Sequence, residues 1–85
     1  MIIFYSPKFA REYKKLSDEV KSVAEAKEEI FRKYPFDPRL KTHKLTGEFE
    51  GFLSFSINYS YRIIFDFADK NTVRFYRIGT HDIYD

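Results

Sequence analysis

The stretch Leu53-Ser54-Phe55-Ser56-Ile57-Asn58-Tyr59-Ser60-Tyr61-Arg62-Ile63-Ile64-Phe65 decides the fold class, because its apolar residues recur at every second position. A strand turns successive side chains to opposite faces, so a period of two predicts one dry face and one wet face. Leu53, Phe55, Ile57 and Tyr59 fall on the dry side, and Ser54, Ser56, Asn58 and Ser60 on the wet side. The dry positions continue through Tyr61, Ile63, Phe65 and Phe67, with Asn58-Tyr59-Ser60 as the tight turn between two strands. A clearer hairpin turn spans residues 68–72, centred on Asp69-Lys70-Asn71, whose types favour turn conformations. The last strand, Val73-Arg74-Phe75-Tyr76-Arg77-Ile78, runs into Gly79-Thr80-His81. Three consecutive strands of this kind predict an antiparallel meander.

Upstream the period is helical. Residues 2–5 are β-branched or aromatic and read as a strand that stops at Ser6-Pro7, a plausible N-cap followed by proline at the first helical position. Phe9, Tyr13 and Leu16 then predict a short amphipathic helix over 7–16. Ser17 is a second N-cap candidate, and Asp18 and Glu19 suit the positive end of a helix dipole. Val20, Val23, Ala24, Ile30 or Phe31, and Tyr34 line one face of this second helix. Arg32 and Lys33 occupy its last turn, and Pro35 and Pro38 end it. The expectation is one α+β domain, residues 1–85: an N-terminal strand, a two-helix hairpin, then the meander, with both helices on one sheet face.

The chain has 85 residues, and its ten Phe and seven Tyr supply enough ring area for one core and too little for two. It has no cysteine, which excludes a disulfide framework and cysteine metal sites and suits a reducing cytoplasm. The N-terminus lacks a basic n-region, and no apolar run approaches the roughly 18 residues of a membrane span, so neither a signal peptide nor a membrane role is expected. The net charge of +2 says little. Its distribution says more: Lys8, Arg11, Lys14 and Lys15 face only Glu12, and Arg39, Lys41, His43 and Lys44 form a second basic stretch.

His43 and His81 lack metal-ligand spacing, and there is no Gly-rich phosphate loop, paired-carboxylate signature or nucleophile elbow; no metal and no cofactor are expected. What remains is a cluster of bases and cations able to handle an RNA phosphate. RNA brings its own nucleophile, the 2′-hydroxyl, so its cleavage needs only proton transfer and charge stabilisation. Histidine suits the first near neutral pH. Arginine grips phosphate oxygens in two-pronged fashion, and aromatic rings stack on unpaired bases. His43, Lys44, Arg62, Arg74, Arg77 and His81 are the candidates for the polar roles, and Tyr61, Tyr76 and Tyr84 for stacking. Each has a plainer reading. His43 in a polar stretch is ordinarily solvated, and Arg62 is placed to pair with Asp66, four residues on along the same face. Arg74 and Arg77 fall on opposite faces of the last strand unless a bulge intervenes. His81 sits where a chain end frays, although Ile83 and Tyr84 offer apolar anchors.

His43-Lys44-Leu45-Thr46-Gly47, then Gly51-Phe52, then Tyr61-Arg62-Ile63-Ile64-Phe65, then Arg77-Ile78-Gly79-Thr80-His81 together resemble the RelE/ParE superfamily of type II toxin–antitoxin toxins. Within it the YafQ-like mRNA interferases are the nearest likeness. The resemblance covers nearly the whole chain. It implies a ribosome-dependent, metal-independent endoribonuclease that cuts mRNA in the A site and halts translation, held in a hetero-oligomer with a cognate antitoxin. By the same resemblance His81 matches a terminal catalytic histidine, His43 an acid/base or substrate-contacting residue, and Arg62 a phosphate-stabilising arginine. Lys44, Tyr61, Arg77 and Tyr84 are the implied substrate contacts; a terminal aromatic would fall at Tyr84 or Asp85, and only Tyr84 has a ring. The chain departs from the family at Ser56 and Ser60, where YafQ-like toxins carry a histidine and an aspartate. ParE-like members of the same fold act on DNA gyrase instead, and an inactive antitoxin-binding member is the third implied possibility.

Overall fold

The computed structural model describes residues 1–84; Asp85 lies outside them. Strand β1 (Ile2–Tyr5) leads into helices α1 (Pro7–Lys14) and α2 (Asp18–Lys33). A two-residue strand β2 (His43–Lys44) follows, then β3 (Leu53–Ser56), β4 (Arg62–Asp69) and β5 (Thr72–Gly79). Short 3-10 turns occupy Pro38–Leu40, Gly47–Phe49 and His81–Tyr84. The sheet order is β1-β5-β4-β3-β2. β1 runs parallel to β5, while β2, β3, β4 and β5 are antiparallel to their neighbours.

Both helices start where their caps dictate. The Ser6 and Ser17 hydroxyls accept from the backbone N–H groups of Phe9 and Val20, three residues on. Each satisfies a donor that the first turn leaves unpaired. The helices place Phe9, Ala24 and Phe31 against Phe55, Phe65 and Phe75 on the inner sheet face. Phe31 is the hub: its ring stacks on Phe55 at 4.7 Å and meets Phe65 and Phe75 edge-on at 4.9 and 5.4 Å. These are the offset and edge-to-face arrangements that the ring quadrupole favours.

The meander is as expected in outline, and differs in four particulars. Tyr59 is 96% exposed instead of dry, because the chain leaves the sheet after Ser56. Asn58 organises this turn, its Oδ1 accepting from the N–H groups of Ser60 and Tyr61. Phe67 is 38% exposed at the open end of the core, where its ring stacks on Phe36. Arg62 does not pair with Asp66; that carboxylate is taken by Arg74 in a two-pronged contact at 2.9 and 2.8 Å. Finally, Ile64 faces Arg77 while Phe65 faces Phe75, so Tyr76 is an extra residue in β5. This bulge brings Arg74 and Arg77 onto one face, the outer one. The edge strand β2 carries His43 and Lys44, which the sequence pattern leaves in an irregular stretch.

Replacing Phe31, which is 0% exposed, by alanine removes the ring on which three core aromatics converge. The loss expected is about 3–5 kcal/mol of unfolding free energy, read as a shift in the urea midpoint with an unchanged slope. A loss below about 1 kcal/mol would mean the core does not depend on this residue.

Candidate active site

The outer sheet face is built by strand register. His43 lies opposite Ser54, Ser54 opposite Ile64, Ser56 opposite Arg62, and Ile64 opposite Arg77. The flanking Leu53, Phe55, Ile63 and Ile78 belong to the core, so alternation turns His43, Ser54, Ser56, Arg62, Ile64 and Arg77 outward.

Arg62 is anchored by the turn before it. One terminal nitrogen donates to the carbonyls of Asn58 and Tyr61 at 3.3 Å and of Tyr59 at 3.5 Å. The other lies 3.2 Å from Nε2 of His81. A guanidinium can only donate, so Nε2 of His81 presents its lone pair. No carboxylate pairs with Arg62 among the described residues. Arg62 and His81, with Tyr59, Ser60, Thr80 and Asp82, line a cavity of about 410 Å3.

The turn carrying His81 is held at three points. Ile83 packs directly over Gly79, where an added Cβ would meet its Cγ2 at 2.5 Å. The Ile83 carbonyl accepts from Arg77 at 3.3 Å, and the Tyr84 hydroxyl is 2.6 Å from that of Ser54. Gly79 is therefore required for close approach, with no unusual φ involved. Instead of fraying, residues 81–84 are pinned through Ile83 and Tyr84, the two residues expected to anchor them.

Arg77 is engaged at both ends of its guanidinium. Besides the Ile83 carbonyl, it meets Glu12 of α1 at 2.7 and 3.2 Å. The other oxygen of Glu12 accepts from the Ile78 N–H at 3.2 Å, a donor left without a strand partner because β1 ends at Tyr5. Glu12 thus closes the β5 edge and orients Arg77. Ser54, fully buried beneath Tyr84, and Glu12 are the positioning residues that pattern reading passed over. Glu12 did leave a signal, as the lone acid among the basic residues of α1. Ser54 left none beyond its place on the wet side.

His43 lines a neighbouring cavity of about 510 Å3 with Leu45, Thr46, Glu48, Phe49 and Tyr84. Its Nδ1 lies 3.0 Å from the Lys41 carbonyl, which can only accept, so Nδ1 carries a proton and Nε2 is the free nitrogen. Tyr84 stands between the two histidines: it lines the cavity of His43, and its ring centroid is 6.2 Å from that of His81. Lys44 and Tyr61 are not brought to this surface. Lys44 lies opposite the core residue Leu53, and Tyr61 packs against the core. Arg74 is held by Asp66, whose hydrogen bonds raise the pKa of its guanidinium. Among the described residues, no group of three or more histidines and carboxylates could hold a metal ion, and no helix is long and apolar enough to cross a membrane.

No curated protein sequence matches the chain significantly. Several solved structures share its fold. YafQ from Escherichia coli strain BL21(DE3) is 24% identical with a TM-score of 0.71, over 96% of this chain and 94% of that one. A YoeB/ParE toxin from Agrobacterium tumefaciens is 14% identical with a TM-score of 0.80, over 95% and 99%. The E. coli DinJ–YafQ complex supplies a chain 26% identical with a TM-score of 0.67, over 95% and 93%. The model of the family described as bacterial toxin of type II toxin–antitoxin system, YafQ, matches residues 1–84. Matched over that length, and folded as these toxins are, the chain belongs to the YafQ family of type II toxins.

Proposed function

We propose that this toxin is an endoribonuclease that cuts mRNA on the ribosome without a metal ion, using Arg62 for charge and His81 and His43 for protons. The observation that carries the reading is the 3.2 Å contact between the Arg62 guanidinium and Nε2 of His81 in an open cavity. A cation without an acidic partner, beside an imidazole lone pair, provides the two things that phosphodiester transfer needs.

The step balances as follows. A histidine takes the 2′-hydroxyl proton, O2′ bonds to phosphorus, and the P–O5′ bond breaks as O5′ receives a proton from the other histidine. A 2′,3′-cyclic phosphate and a 5′-hydroxyl result. Between those events the phosphoryl oxygens carry extra negative charge. Arg62, already held by three backbone carbonyls, meets that charge without having to be ordered first, and such preorganised donors usually supply the largest share of rate. The Tyr84 ring, fixed by Ser54, gives an adjacent base a surface on which to stack. Lys44 and Tyr61 play no direct part in this reading. Arg77 acts by holding the His81 turn in place. Ser56 and Ser60 reach the same surface without proton-transfer capacity, so the chemistry falls to the two histidines.

A cognate antitoxin is part of the proposal. The DinJ–YafQ complex supports it, and the edge strand β1 exposes Ile2, Phe4 and Tyr5, an apolar margin suited to a partner. The toxin would act in the cytoplasm, where mRNA is translated.

Induced expression with mapping of mRNA 5′ ends tests the reading. The wild-type chain is expected to arrest growth and generate new 5′ ends in coding regions, in extracts treated with EDTA as in untreated ones. Arg62→Ala is expected to slow cleavage by about 10²–10³-fold, and His81→Ala by about 10²–10⁴-fold. Intact mRNA accompanied by a DNA-damage response would instead identify a gyrase-directed toxin and overturn the proposal.

Gly79→Ala tests the positioning of His81 separately. The new methyl pushes on Ile83 and displaces the turn, so cleavage is expected to fall at least tenfold while the far-ultraviolet circular dichroism stays unchanged. Retained activity would show that the turn need not sit where it does.

A further inference from the structure

A third cavity, of about 510 Å3, opens on the outer face where α1 begins, and nothing in the chemistry above uses it. Its floor is apolar, made by Phe52, Ile64 and Tyr76. The Phe52 and Tyr76 rings meet edge-to-face at 4.9 Å, and the bulge in β5 turns Tyr76 to this side. Its rim is cationic. Lys8 and Arg11, one turn apart on α1, both line it, and neither takes part in an ion pair among the described residues. Arg77 also borders it, but its charge is answered by Glu12. Glu48 is the one acid on the wall with no ion-pair partner, and two free cations outweigh it.

We infer that this cavity is a nucleotide subsite: it takes the base of an unpaired RNA residue flanking the cleaved one, with Lys8 and Arg11 on the neighbouring phosphates. The chemistry fits, because a ring-lined apolar floor beneath cations is what a base joined to phosphates requires. Continuity favours RNA over a protein segment. Glu48 and Phe49 line both this cavity and that of His43, and Tyr84 connects the latter to His81 and Arg62. Two of the cavities thus share a wall, and the ring of Tyr84 borders the third at His81, an order that a single strand can follow from α1 to Arg62 and His81. The inference rests on the nuclease reading only for the direction of that strand.

The test uses the full chain and a fluorescent 2′-O-methyl RNA decamer of mixed sequence, which cannot be cut. Wild-type toxin is expected to bind it with affinity that falls as salt rises. In Lys8→Ala/Arg11→Ala the slope of log affinity against log salt should be shallower by about 1.4, the loss of two phosphate contacts on a single strand. Phe52→Leu keeps the apolar volume and removes the ring, and should weaken binding roughly tenfold without changing the salt slope. Unchanged affinity in both variants, or no binding by wild type, overturns the subsite. So does the result that both variants bind the decamer normally but lose affinity for an acidic peptide bearing aromatic residues, which would make the cavity a protein-docking site. If the variants behave as expected while expression leaves mRNA uncut, the nuclease reading fails and the subsite stands.

Discussion

The architecture turns on a conflict of spacing within β5. Val73, Phe75 and Ile78 all have to reach the core, yet the last two are three residues apart, and a regular strand would put them on opposite faces. One residue too many is the only way to reconcile them, and the bulge at Tyr76 supplies it. Everything on the outer face follows. Tyr76 turns away from the core to meet Phe52, and Arg77 swings to the side of Arg62. The strand then delivers Gly79 opposite Arg62, so that His81 arrives at the guanidinium. Without the bulge the inner face would lose Ile78, or the outer face would lose its arginine.

Elements with strong local signals were legible in the sequence. The helix starts are marked by Ser6 and Ser17, and the β4–β5 turn by Asp69-Lys70-Asn71. The features that needed the structure are those set by partners distant along the chain. Pairing between β1 and β5 joins residues seventy positions apart and leaves no local trace. The two-residue β2 exists only because β3 is there to receive it. Tyr59 satisfied the alternation rule and still lies in solvent, because periodicity cannot tell a strand's last dry residue from the tip of a turn.

The site divides along the same line. Arg62 and His81 could be singled out because each ends or interrupts an apolar run, and the structure brings them within 3.2 Å. Lys44 and Tyr61 share their neighbourhood in sequence but point the other way, a distinction that one step of register decides. Asp66 pairs with Arg74 and not Arg62 for a related reason. Residues four apart on a strand share a face but are spaced well along it, whereas Arg74 lies directly across the ladder and reaches the carboxylate with two nitrogens.

The placement of Ile83 over Gly79 has a consequence for regulation. The His81 turn is fastened by one apolar contact, one hydrogen bond from Arg77, one phenol–hydroxyl pair and the Arg62–His81 contact, and the helices reach it only through Glu12 on Arg77. Segments attached so lightly open on their own, at a fraction of the global unfolding free energy. Each 1.4 kcal/mol of preference for the open form moves its population about tenfold. A partner that binds the open turn would therefore part His81 from Arg62 reversibly, leaving the scaffold intact and the contact free to re-form once the partner is gone.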